Sequence, residues 1–244
     1  MPGFWARPSS ARPREVLLYL HGGWFNWGTA AAYRNLVGQI AARADVEAFI
    51  PDYRLAPEHP HPFPAAVDDV QAAYRGLVDE GSERIAVVGD SAGGNLALVL
   101  LSLTKESGTR PLAGVALSPI TDLTLGGSSW ETRAEADPYF VRPQAESLVR
   151  AYLGDAEPTD PRASPLQGRL EGLPPIRVHV GDDEVLLDDS RSYVERAVAA
   201  GVDARLDVFP EMQHDFQISA GHAPEADDAI RKLAEWVRPK LGLA

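Results

Sequence analysis

The sequence predicts an α/β protein with a mostly parallel central sheet and helices on both faces. Short apolar runs alternate with longer helical patterns along the whole chain, which is the rhythm of successive βαβ units. No repeat, low-complexity tract or long linker divides the 244 residues, a length that suits a single domain. A Gly-x-Ser-x-Gly pattern also falls where a strand should turn into a helix.

The elements follow in order. Strands are predicted at 16–20, 46–51, 84–89, 114–118, 176–181 and 205–209, each a short apolar run. Helices are predicted at 30–44, 64–80, 92–105, 142–153, 189–200 and 224–239. Pro64 and Pro143 fall in a first helical turn, where the missing N–H has no intrahelical partner to lose. Gly81 and Gly201 stand just past helix ends, where positive φ is often required. One stretch breaks the rhythm. Around 120–165 the chain is rich in proline and holds a helix but no convincing strand, and it reads as a cap- or lid-like insertion.

Composition narrows the function. There is no cysteine, so disulfides, thiolate metal sites and a cysteine nucleophile are excluded. The formal net charge of −12 disfavours nucleic acid or an anionic membrane as partner. No run of about 18 apolar residues could span a bilayer, and the first residues lack the basic and apolar regions of a signal peptide. A cytoplasmic protein is the expectation.

The chemistry begins at GDSAGG, residues 89–94, between the apolar run ending at Val88 and the helical run from Asn95. A tight strand–turn–helix junction of this kind presents Ser91 as a nucleophile at the carboxyl end of the sheet. HGGW at 21–24 follows another predicted strand, and its glycines allow backbone N–H groups to converge on one point. Such donors stabilise the oxyanion of acyl transfer, and Ala92, next to the nucleophile, would add one more. His21 is expected to brace this loop rather than to react. Asp90 is expected to make a structural hydrogen bond.

Ser91 needs a base, and His21, His59, His61, His179, His214 and His222 are available. His214 lies in the loop after the predicted last strand, which is where the chain order Ser, acid, His places the base; His222 is its competitor. The acid should follow strand 176–181, where Asp182, Asp183, Glu184, Asp188 and Asp189 crowd together and spacing alone does not separate them.

These motifs together resemble the hormone-sensitive-lipase-like family of α/β hydrolases, and in particular its bacterial short-chain carboxylesterases, which include acetyl-ester and lactone hydrolases. The resemblance spans about 15–240 and rests on HGGW at 21–24, DYRLAPEHPHPFPAA at 52–66, GDSAGGN at 89–95, SPLQGRLEGLPP at 164–175, EVLLDD at 184–189 and the late His214. It implies an α/β-hydrolase fold and metal-free, cofactor-free ester hydrolysis. It also implies that the acid is Glu184, two positions before Leu186, with Asp183 as the alternative and Asp188 structural. The oxyanion donors become Gly23 and Trp24, and the family usually has Gly or Ala where this chain has Trp24. The front is shorter than in most members, which implies either a reduced helical cap and a shorter sheet or a truncated chain. That would leave Phe4, Trp5, Trp24, Phe25 and Trp27 partly exposed, a patch that would favour a homodimer.

The expected function is a serine carboxylesterase acting on small uncharged short-chain esters through Ser91, His214 and Glu184 and an acyl-enzyme. HGGW with its neighbouring aromatics also resembles formamidase-like relatives, so a lactonase or amidase with the same triad is the alternative. A non-catalytic ligand-binding hydrolase homologue is a further one, disfavoured because the base is retained.

Overall fold

Strands β1 (Gly3–Ala6), β2 (Arg12–Leu20), β3 (Val46–Pro51), β4 (Arg84–Asp90), β5 (Ala113–Leu117), β6 (Ile176–Gly181) and β7 (Ala204–Phe209) form one sheet in the order β1-β3-β2-β4-β5-β6-β7. Only β1 runs antiparallel; every other pairing is parallel. The helices are α1 (Arg34–Ala44), α2 (Pro62–Asp79), α3 (Ser91–Thr104), α4 (Ser129–Thr132), α5 (Arg142–Leu153), α6 (Leu187–Ala199) and α7 (Pro224–Lys240). This computed structural model describes residues 1–56 and 62–243, without the side chains of Pro13 and Pro62. His59, His61 and the middle of the 52–66 motif lie outside the described residues.

The period of two along a strand sorts its side chains onto two faces. In β2, Val16, Leu18 and Leu20 join the core shared with α2, α3, α5 and α6. Leu17 and Tyr19 point into the opposite core, with Ile40 of α1 and Ile230 and Leu233 of α7. Both faces of the sheet are therefore covered, as a parallel sheet requires. Helix α3 is buried almost all round, which explains its apolar composition.

Most predicted elements are present, with ends shifted by a few residues. Helix α1 begins at Arg34 rather than residue 30, because residues 31–33 form turns. Pro64 does not sit in a regular first turn. The Phe63–Pro64 peptide is cis, and both residues have non-helical dihedrals at the head of α2. Pro143 is within the first turn of α5, and Gly81 and Gly201 have positive φ as expected. β1 has no counterpart in the sequence reading.

Residues between β5 and β6 carry α4, α5 and a single 3-10 turn at Pro165–Gln167. This segment is tied to α3 and α6. Asn95 of α3 donates its amide to the carbonyls of Ile120 (2.8 Å) and Ala163 (2.7 Å). Buried Asp189 of α6 accepts the backbone N–H groups of Thr121 (2.7 Å) and Asp122 (3.0 Å).

The expected exposure of the N-terminal aromatics is corrected in part. Phe4 and Trp27 are exposed and Trp5 is half-buried on the Phe49 ring, but Trp24 and Phe25 are buried. Phe25 stacks on Tyr152 of α5 with ring centroids 3.8 Å apart. Trp24 meets Phe140 edge-on at 5.2 Å and lies 6.5 Å from Trp130 of α4. The segment between β5 and β6 covers these two rings.

Candidate active site

The residues singled out by sequence converge at the carboxyl ends of the parallel strands, the edge at which open α/β sheets bind ligands. HGGW follows β2, Ser91 follows β4, the acidic cluster follows β6 and His214 follows β7.

Ser91 is the first residue of α3 and has φ of 51°, a left-handed conformation that non-glycine residues seldom adopt. It is 4% exposed. The sharp junction works because its flanks are small. A methyl group on Gly93 would collide with the Leu20 and His21 carbonyls at the end of β2. Gly93→Ala should therefore push α3 away from β2. We expect a destabilisation of about 1–3 kcal/mol, as for other overpacked sites. We also expect kcat to fall by about 10²-fold as the donors shift by an ångström. Thermal melting and ester turnover would measure both, and a variant with unchanged kcat would refute the close-approach argument.

The HGGW loop curls against this junction. A β-carbon on Gly22 would lie 3.1 Å from Ser91 Cβ. Gly23 (φ 112°), Trp24 (φ 53°) and Phe25 (φ 61°) all have positive φ. Among the described residues, no acceptor meets the backbone N–H of Gly23, Trp24 or Ala92. Backbone donors without an acceptor beside a candidate nucleophile are what an oxyanion hole needs.

His21 braces the loop. Its ring lies between Tyr53 (4.4 Å between centroids) and Tyr33 (5.4 Å), and Nδ1 is 2.8 Å from the Gly22 carbonyl. Burial pushes its pKa below the ordinary histidine value, so it stays neutral. Asp90 is also structural: it accepts from Tyr19 (2.7 Å) and from the Gly22 N–H (3.0 Å). Burial, with the Asp215 charge adding to it, raises the Asp90 pKa well above the carboxylate range.

Among the five carboxylates after β6, the structure places only Glu184 on a histidine. Its Oε2 lies 2.9 Å from His214 Nδ1. Its Oε1 accepts from the Gly181 N–H (2.6 Å) and from Ser118 Oγ (2.7 Å). Burial raises the Glu184 pKa, and its hydrogen bonds to His214 and Ser118 oppose the rise. Asp182 binds the Glu211 N–H, Asp188 binds Ser128 and Ser129, and Asp189 binds Thr121 and Asp122. Asp183 is half-buried and makes no side-chain hydrogen bond among the described residues.

His214 is also set apart from the other described histidines. His179 is buried within β6, where desolvation lowers its pKa to about 4, and His222 is exposed just before α7. Phe140, between β5 and β6, packs edge-on against His214 with 4.7 Å between centroids. A cavity of about 310 Å³ opens beside it, lined by Tyr139, Phe140, Asp215, Phe216 and Ile218 among others.

Two partners escaped the sequence reading, Ser118 and Asp215. Ser118 stands just past β5 with φ of 45° and binds Glu184. Asp215, also left-handed at φ 52°, places Oδ2 3.0 Å from His214 Nε2. No hydrogen bond joins His214 to Ser91 in this arrangement.

The sheet order, the left-handed serine between β4 and α3 and the late histidine define an α/β hydrolase. A family model described as alpha/beta hydrolase fold matches residues 17–218. An acetyl-hydrolase of Streptomyces hygroscopicus is 36% identical over 241 residues, covering 98% of this chain and 80% of the relative. An esterase of Acinetobacter venetianus is 35% identical over 232 residues, covering 93% and 76%. A solved structure of an esterase from the bacterial hormone-sensitive lipase family matches with a TM-score of 0.93 at 44% identity, over 98% of this chain and 80% of that one. The chain belongs to the alpha/beta hydrolase fold family, in its bacterial hormone-sensitive-lipase-like branch.

Proposed function

We propose that the protein is a serine carboxylesterase that hydrolyses small uncharged short-chain esters. The observation that carries this reading is the hydrogen bond that buried Glu184 accepts from His214 Nδ1, at the same sheet edge as left-handed Ser91. In the reaction, His214 Nε2 accepts the Ser91 hydroxyl proton as Oγ attacks the ester carbonyl. The N–H groups of Gly23, Trp24 and Ala92 receive the oxyanion. Glu184 fixes the tautomer and stabilises the imidazolium. His214 then protonates the departing alcohol, and water attacks the acyl-enzyme by the same route in reverse.

The neighbouring rings bear on the substrate class. Trp24, Phe140 and Trp130 pack together at the HGGW loop, which supports a preference for short acyl chains. Glu184, Asp215 and the net charge of −12 disfavour anionic substrates.

The test is a parallel assay on p-nitrophenyl acetate, butyrate and octanoate, a γ-lactone and an anilide. The expected result is highest kcat/KM on acetate or butyrate and at least about tenfold less on octanoate, a difference of about 1.4 kcal/mol. Folded protein without ester turnover would overturn the reading. Preference for the lactone or the anilide would move it to the lactonase or amidase class.

A further inference from the structure

Ester hydrolysis needs one carboxylate at the base, yet His214 meets two. Nδ1 lies 2.9 Å from Glu184 Oε2, and Nε2 lies 3.0 Å from Asp215 Oδ2. An ionised carboxylate accepts hydrogen bonds and donates none. Both contacts are satisfied together only when both ring nitrogens carry hydrogen, and an imidazolium cannot take the Ser91 proton. We propose that Asp215 is a positioning residue that latches the base: it holds Nε2 in a protonated bracket opposite Glu184, and Ser91 gains Nε2 only after that proton has left.

The bracket is a closed ring of contacts. The Asp215 N–H points to Ser118 Oγ at 3.4 Å, and Ser118 donates to Glu184 Oε1 at 2.7 Å. Glu184 binds His214, and His214 returns to Asp215. Asp215 holds a left-handed conformation to reach Nε2, and its other oxygen, Oδ1, is buried with no partner. The imidazole is thus the sole side chain that pairs with this carboxylate among the described residues.

The charged and titratable surroundings are consistent with a latch. Glu184 faces the ring from the loop after β6, Asp215 from its own loop and Asp90 from the end of β4. Burial, with the Asp215 charge adding to it, raises the Asp90 pKa and disfavours its charged form. Tyr19 and Tyr33 stay neutral because burial raises theirs. Phe140 packs edge-on against the ring and brings no charge. Burial alone would lower the His214 pKa, but Asp215 and then Glu184 more than reverse this and hold it well above the ordinary histidine value. The sign follows directly. Below the raised pKa the latch is shut. As pH rises through it, the Nε2 proton passes to solvent, Asp215 faces a bare lone pair and lets go, and Nε2 accepts the Ser91 hydroxyl proton.

The inference rests on the esterase reading for its kinetic arm, so the test has a second arm without turnover. In Asp215→Asn, which keeps the shape and tolerates left-handed φ, the acid limb of the kcat/KM profile on p-nitrophenyl butyrate should move down by at least about one pH unit. Relative to its plateau, activity at pH 6 should then be about tenfold above that of the wild type. Asp215→Glu, which keeps the charge, should retain the wild-type limb. In the Ser91→Ala background, the His214 ring titration followed by NMR should fall by a similar amount on adding Asp215→Asn. Asp215→Ser gives the same readouts should the asparagine variant not fold. An unchanged His214 titration overturns the latch whether or not esters are hydrolysed. A lowered titration without ester turnover supports the latch and overturns the esterase reading alone.

Discussion

Ser91→Ala is expected to lower kcat on p-nitrophenyl butyrate by about 10⁵–10⁶-fold, the loss typical of a serine nucleophile whose partners act as a unit. Ser91 is the hydroxyl at the junction of β4 and α3, and the HGGW loop packs against that junction. Alanine tolerates the left-handed position about as poorly as serine, so the cost of the junction is unchanged and the fold should persist. Near-ultraviolet circular dichroism checks this. The wild type should also release a burst of p-nitrophenolate close to one equivalent and carry the acyl mass on Ser91. Residual activity within tenfold of wild type would mean that another nucleophile does the chemistry.

Glu184→Gln ranks second, with an expected fall in kcat of about 10³–10⁴-fold, as seen when the acid of a serine triad becomes an amide. The geometry gives the reason. Oε1 is occupied by two donors, the Gly181 N–H and Ser118 Oγ–H, so the amide oxygen of glutamine must stay on that side. The amide NH₂ then faces His214 Nδ1 and forces the ring proton onto Nε2, the nitrogen that should receive the proton of Ser91. Such a variant should lose kcat with little change in KM, because the ring stays in place in the wrong tautomer. Asp183→Asn serves as the control. Its carboxylate touches neither ring nitrogen, and activity should stay within about twofold of wild type, a difference below about 0.5 kcal/mol.

Local patterning accounts for what could be read without coordinates. The strands at 46–51 and 176–181 and the helix at 142–153 have the predicted bounds, because each is a self-contained apolar or amphipathic run between turn residues. β1 was invisible for the opposite reason. It is four residues long, lies at the sheet edge, and is a strand only through antiparallel pairing of Gly3–Ala6 with residues 48–51. The acid shows the same divide. Five carboxylates within eight positions look alike in sequence, and only the fold brings one of them to a histidine in the loop after β7. Ser118 carried a faint signal, as a serine just past an apolar strand and before Pro119. Its partner Glu184 is 66 positions away, beyond any local pattern. The burial of Trp24 was misread because the rings that cover it, Trp130 and Phe140, come from a segment whose placement the strand rhythm does not dictate.

Trp24 joins two properties in one residue. Its backbone N–H is one of the free donors, and its ring is part of the wall against Phe140 and Trp130. Trp24 and Phe25 are consecutive bulky residues in left-handed conformations, a strain that persists only while their surroundings over-determine it. The contacts that hold them there come from the insertion, through Phe140 and Trp130 for one ring and Tyr152 for the other. Trimming Trp24 to widen the site would thus release the turn that aims the donors. The accessible route to new substrate ranges runs instead through the facing rings of the insertion, Trp130 and Phe140, which supply wall and no donor.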